Sequence, residues 1–211
     1  MLELKESTQS FSFDGFSSEP VASVLRDFSA PVVLNFDQSD EELAFLMAYD
    51  TDSFNRWDAG NRLSSNLILS LAKLPLDQIS SQKLPDNYIN SFKQILNTCR
   101  DGQGDYSLTA YALQLPGFTA LSLSMPVILI DPLLEAIKHV KTTLAKHLVK
   151  EFEELYDSLN TDEAYSFDPQ SVGRRRLKNT CLDYIMSLET PSAVERATKQ
   201  FNTAKCNYTT L

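Results

Sequence analysis

Cysteine and histidine are scarce in this chain of 211 residues, with three of the first and two of the second. Cys99, Cys181 and Cys206 form an odd set at wide spacings. That fits neither a disulfide framework nor a zinc cluster; it points to reduced thiols packed as small hydrophobes in a cytosol-like compartment. His139 and His147 would lie about 80° apart around one helix, whereas a helical zinc pair wants ligands about four residues apart. No His-Glu-x-x-His run occurs, so both read as ordinary helix histidines. Six glycines are few for this length and argue against a barrel or sandwich rich in tight turns. Positive charge is also short, 19 Lys and Arg against 28 Asp and Glu, a net −9. That balance opposes nucleic acid or an anionic membrane as the main partner. No apolar run reaches the roughly 18 residues of a membrane-spanning helix. Met1–Glu6 lacks the basic region and long apolar stretch of a signal peptide. The expectation is a soluble, cytoplasmic protein.

Aromatic residues, by contrast, are plentiful. Twelve Phe and eight Tyr supply large surfaces to bury and exclude disorder. A chain this long can bury roughly 70% of its unfolded surface, so a substantial core is expected.

Residues 1–37 read differently from the rest. Ser10–Phe13 and Val32–Phe36 are short β-prone stretches, punctuated by Gly15, Ser17-Ser18, Pro20 and Pro31. Two or three strands are too few for an independent sheet, so they belong to a larger one. From residue 39 the pattern turns helical. Ser39 with Glu42 reads as a capping box ahead of Leu43, Leu46 and Met47. A second helix is predicted over about 53–73, its apolar residues from Trp57 to Leu74 lying within roughly 140° of arc. Beyond Pro85, Tyr88, Phe92, Ile95, Leu96 and Cys99 recur at helical spacing, and Asp101–Gly104 ends that helix. Asp131-Pro132 reads as an N-cap and first helical residue. The apolar series Leu133, Ile137, Val140, Leu144, Leu148, Phe152 and Leu155 then predicts one long helix. Asp168-Pro169 repeats the signal for a helix to about Leu188, and Thr190-Pro191 opens another. The predicted class is mainly α: an antiparallel helical stack, solenoid-like, preceded by a few strands.

Chemistry-bearing motifs are few. There is no Gly-x-Ser-x-Gly elbow, and Gly102 and Gly104 lack the strand-before, helix-after setting of a phosphate loop. Arg174-Arg175-Arg176 is the one basic cluster. Arg174 falls on the arc of Leu177, Cys181, Tyr184, Ile185 and Leu188, where it could hold a structural ion pair, snorkel to solvent or contact a ligand. Phe54–Ala59 surrounds the sole tryptophan, Trp57, which is expected to anchor packing. The residues alone describe a mostly helical, non-enzymatic module.

One stretch carries a sharper resemblance. Asp52–Gly60 (Asp-Ser-Phe-Asn-Arg-Trp-Asp-Ala-Gly) resembles a signature at the start of the helical C-terminal domain of zinc metallo-aminopeptidases, in the alanyl aminopeptidase (aminopeptidase N) branch of bacteria, plants and protists. Glu19–Val32 is similar to the last strands of that family's small β-sandwich domain. Ile130-Asp131-Pro132 and Arg174–Cys181 match further family stretches in order. Gly117–Ile130 departs from the family pattern, being more apolar and carrying Pro126.

The resemblance implies a division at residue 37: 1–37 as the end of an Ig-like β-sandwich, and 38–211 as the first part of a helical domain. It implies a parent enzyme that removes N-terminal amino acids from peptides with a zinc ion held upstream of this region. In such a parent the helical domain caps the active-site chamber and limits access. Its partners would be the catalytic and β-sandwich domains, with peptides as substrates. No residue here is assigned to catalysis, cofactor or metal, and the chain by itself is expected to be inactive. The competing expectation is a free-standing helical interaction module without peptidase activity.

Overall fold

The computed structural model describes residues 3, 5–100, 102, 104–161 and 164–204. Among them are ten α-helices: α1 (Asp40–Tyr49), α2 (Ser53–Leu71), α3 (Leu76–Ile79), α4 (Asp86–Arg100), α5 (Tyr106–Ala112), α6 (Phe118–Ser122), α7 (Ile130–His147), α8 (Val149–Ser158), α9 (Pro169–Met186) and α10 (Pro191–Thr203). The expected helical stack is present. α1 packs on α2 and α4, α2 on α7, α4 on α8, and α9 on α5, α8 and α10.

Helix starts follow local chemistry. Both halves of the Ser39–Glu42 capping box form. The carboxylates of Asp52, Asp105 and Asp168 accept from the backbone N–H groups of Asn55, Leu108 and Ser171, each at 2.9 Å. Thr190 Oγ1 accepts from Ala193 N–H at 3.2 Å. Each bond satisfies a donor that the first helical turn leaves open.

One contiguous core runs from Leu43 on α1 to Ala193 on α10. Its centre is an aromatic series that crosses helices. Tyr88 and Phe92 of α4 meet edge-on at 5.1 Å, Phe92 approaches Tyr184 of α9 at 6.4 Å, and Phe152 of α8 stacks on Tyr184 at 4.4 Å. Both phenol groups are satisfied inside. Tyr88 Oη and Ser64 Oγ of α2 are 2.8 Å apart, and Tyr184 Oη donates to the Leu113 carbonyl at 2.6 Å. Buried hydroxyls left without partners would oppose folding; here they tie four helices together.

Three expectations change. Among the described residues no strand forms: Ser10–Phe13 and Val32–Phe36 run without strand pairing, because a strand exists only by hydrogen bonding to a neighbour. The long helix expected through Leu155 is two. Leu148 (φ −120°, ψ 20°) separates α7 from α8, and the cause is tertiary, since α8 turns to pack on α9 and α4 while α7 packs chiefly on α2 and α3 and only partly on α9. Finally, α7 begins one residue before Asp131, with Leu129 at the N-cap position and no side-chain cap. Asp131 then lies inside the first turn, where its charge still faces the positive helix end. Gly102 adopts φ +76° after α4, as a helix-terminating glycine should; Asp101, Gln103, Asp162, Glu163 and the segment holding Cys206 lie outside the described residues.

Candidate functional site

The signature stretch at the start of α2 is dense in polar interactions, most of which join α1 and α2 to residues 22–38. Asp50, at the C-terminal end of α1, is buried. Its carboxylate accepts from Arg26 Nη1 at 2.5 Å, Ser23 Oγ at 2.5 Å and Asp52 N–H at 2.9 Å. Three donors on one carboxylate are what a buried charge requires. Arg26 Nη2 continues to Thr51 Oγ1 at 2.7 Å.

Each signature residue then has a task. Asp52 caps α2 with one carboxylate oxygen, and with the other it accepts from Asp27 N–H at 3.0 Å. Those bonds, led by the Asn55 N–H, hold the Asp52 carboxyl below its usual range. Asn55 Nδ2 donates to Ser23 Oγ and to the Val24 carbonyl, both at 2.9 Å. Phe54 rests on Phe28 at 4.7 Å and on Trp57 at 5.6 Å. Arg56 Nε donates back to the Met47 carbonyl at 3.3 Å. Burial draws the Arg56 pKa down while Asp50 supports its charge. A turn further on, Arg62 donates to Gln38 Oε1 at 2.8 Å and to the Phe36 carbonyl at 3.1 Å, and Gln38 Nε2 reaches the Ala22 carbonyl at 3.1 Å. Asp58, 3.9 Å from Arg62, has its pKa raised by burial.

The segment so held is bent sharply. Leu25, Asp27 and Phe28 all lie in the left-handed region, at φ 56°, 55° and 52°. Three such non-glycine residues persist only where surrounding contacts over-determine the backbone; the Arg26, Asp27 and Phe28 contacts do so here. The assembly is a clamp: its Ser23 hydroxyl donates to an Asp50 carboxylate that is already paired with Arg26.

The other singled-out residues are dispersed. His139 Nε2 lies 2.9 Å from the Gln82 carbonyl, tying α7 to the link before α4, and His147 is exposed. Cys99 and Cys181 are buried free thiols, and burial pushes both thiol pKa values up, so they pack rather than react. Among the described residues no group of three His, Cys, Asp or Glu is arranged to hold a metal ion. With His139 engaged and His147 exposed, the donor set does not fit zinc. No described helix is long and apolar enough to cross a membrane. Arg174 is half-buried on α9 and, after burial, is the second influence lowering Lys178. Arg175 and Arg176 face a hollow between the α5–α6 link, α7 and α9. The clamp was only partly legible in the sequence: Asp52–Gly60 marked its helical half, but nothing local linked Asn55 to Ser23 across 32 residues.

Residues 40–210 match the family described as a domain of unknown function (DUF3458_C) with ARM repeats. Residues 1–37 match a domain of unknown function (DUF3458) with an Ig-like fold. The chain is 32% identical over 207 residues to aminopeptidase N of Escherichia coli (strain K12), covering 97% of this chain and 23% of that protein. It is 30% identical over 180 residues to aminopeptidase N of Caulobacter vibrioides, covering 85% and 20%. Among solved structures, Legionella pneumophila aminopeptidase A in complex with aspartic acid superposes with a TM-score of 0.73 at 27% identity, over 88% of this chain and 22% of that one. The chain spans about a fifth of the length of these relatives.

Proposed function

The chain belongs to the DUF3458_C family of ARM-repeat domains and is homologous to the C-terminal region of aminopeptidase N, and on that premise we propose that it is a non-catalytic part of a zinc-dependent aminopeptidase. Residues 38–211 form the first part of the helical domain, and 1–37 are the end of the preceding β-sandwich. The helical stack caps the active-site chamber and restricts which peptides reach the zinc, which is held by residues upstream.

The observation that carries the reading is similarity running nearly the whole length of this chain to a single region of each relative. The clamp supports it. Ser23, Asp50, Asp52, Asn55 and Arg62 fix residues 22–38 against α1 and α2, which is what a rigid junction between two domains of one enzyme needs. Apolar side chains left open on the N-terminal segment, Val33 (98% exposed), Phe13 (62%) and Phe16 (60%), suit burial against the remainder of a sheet.

The test is hydrolysis of alanyl-aminocoumarin by the 211-residue chain, with and without zinc, beside a protein that carries the sequence upstream of it. Turnover is expected only in the longer protein, which should also prefer di- and tripeptides to decapeptides. Zinc-dependent turnover by the chain alone would overturn the reading. Loosening the clamp by Asn55→Ala in the longer protein should weaken the discrimination against decapeptides, and unchanged discrimination would remove the access role.

A further inference from the structure

We propose that the hollow between the α5–α6 link, α7 and α9 is a binding site for a peptide carboxylate flanked by an apolar side chain. The hollow has a volume of about 840 Å³, within the usual range for small-ligand pockets. Arg175 and Arg176 enter it from α9 and Lys141 from α7, and Asp183 is the one acid among its described lining residues. Lys141 Nζ is 2.6 Å from the Asp183 carboxylate, so that pair is internally neutral. Among the described residues neither arginine has a carboxylate partner.

What the arginines do contact leaves their charge available. The Arg175 guanidinium lies over the Tyr165 ring at 4.9 Å, and its Nη1 donates to the Ser166 carbonyl at 2.9 Å. Its Nε is buried with no hydrogen-bond partner. Arg176 lies over the Tyr111 ring at 4.6 Å. Stacking on a ring positions a guanidinium without using its N–H fork, and that fork matches a carboxylate in a bidentate pair. Two cations lining one hollow, with no carboxylate partner among the described residues and in a chain of net −9, therefore mark a local acceptor for negative charge. Leu115, Ile137 and Val172 line the same hollow and would take an apolar side chain next to that carboxylate. Nothing in this inference requires peptidase activity, so it stands or falls apart from the proposed function.

The carboxylate could be a peptide C-terminus or an acidic side chain, and a titration separates the two. Calorimetry on protein carrying the full 211-residue chain would use four compounds: acetyl-leucyl-phenylalanine as free acid, the same dipeptide as C-terminal amide, acetyl-glutamyl-phenylalanine amide, and inorganic phosphate. The free acid is expected to bind at least about tenfold more tightly than its amide, a bidentate arginine pair contributing roughly that factor. R175Q and R176Q should each erase the difference. A glutamyl amide as tight as the free acid also supports the site and assigns the carboxylate to a side chain. Equal binding of acid and amide, phosphate matching the free acid, or no binding of either dipeptide at millimolar concentration would overturn it. The acid–amide comparison on the unsubstituted protein decides the matter even if an arginine variant fails to fold.

Discussion

Asp50 and Arg26 sit at opposite ends of the solvent scale although they share an ion pair: the Asp50 side chain is 1% exposed and that of Arg26 is 40%. The energy therefore resides with the carboxylate. Asp50→Ala removes three hydrogen bonds and leaves Arg26 and Ser23 without their acceptor, and it should destabilise the fold by about 2 kcal/mol, read from a shifted denaturant midpoint. Arg26→Ala should cost less, because Ser23 and Asp52 N–H still serve the carboxylate and the exposed arginine was screened by solvent. Two helical glycines make a second residue-scale contrast. A Cβ on Gly173 would sit 2.6 Å from Ser107 Oγ and 3.0 Å from the Ser107 backbone nitrogen, so α5 must move away from α9. Gly173→Ala should destabilise by about 1–2 kcal/mol, overpacking outweighing the helix-propensity gain of roughly 1 kcal/mol. On Gly60 the same atom meets only the flexible Met47 side chain at 3.2 Å. Gly60→Ala should be near neutral or stabilising, both glycine variants being read from the same denaturant midpoint.

At the scale of the element, acid is the expected weak point. The Asp52 carboxyl is held low chiefly by the Asn55 N–H, and Asp168 is held well below the usual carboxylate range by the Ser166 and Ser171 side chains and the Ser171 N–H. Glu151 of α8 is raised by burial, but Lys93 of α4 reverses that and leaves it lowered. Groups whose folded pKa is depressed bind fewer protons folded than unfolded. Their stabilisation is complete above the unfolded value of roughly 4 and is lost as pH falls below it. Urea midpoints should hold between pH 7 and pH 5 and fall steadily below about pH 4; Asp58, whose pKa burial raises, acts in the opposite direction and blunts the loss. Asp168→Asn keeps much of the cap while removing the titration, so its midpoint should fall less steeply in acid than that of the unsubstituted chain. A parallel decline in the two proteins would show that the α9 cap is not a source of the acid sensitivity.

For the whole molecule the apolar surface decides behaviour. Besides the N-terminal phenylalanines, the link between α6 and α7 exposes Leu123 (84%) and Val127 (70%). The stretch Gly117–Ile130 forms only the short α6 and then runs largely exposed to α7. Taken alone in solution, the 211-residue chain is expected to self-associate and bind an apolar dye, as measured by sedimentation velocity and dye fluorescence. A sharply melting, dye-free monomer would count against its being one part of a larger enzyme and in favour of an independent interaction module.

Local information determined a good deal of this. Ser39, Asp52, Asp168 and Thr190 act as N-caps because a side-chain oxygen can reach the open N–H groups of the next turn without help from elsewhere. The buried faces of α4 and α9 follow from apolar residues recurring at helical spacing. Tertiary structure decided what depends on partners distant in the chain. The uninterrupted apolar series through Leu148 could not disclose that two halves of one predicted helix would choose different main neighbours, α9 and α4 for one and α2 and α3 for the other. The β-prone segments could not form strands without a sheet to join. Arg26 and Ser23 look like unremarkable loop residues until α1 brings Asp50 beneath them. In each case the deciding free energy comes from burying and pairing groups that only the folded chain brings together, and sequence spacing carries no record of that.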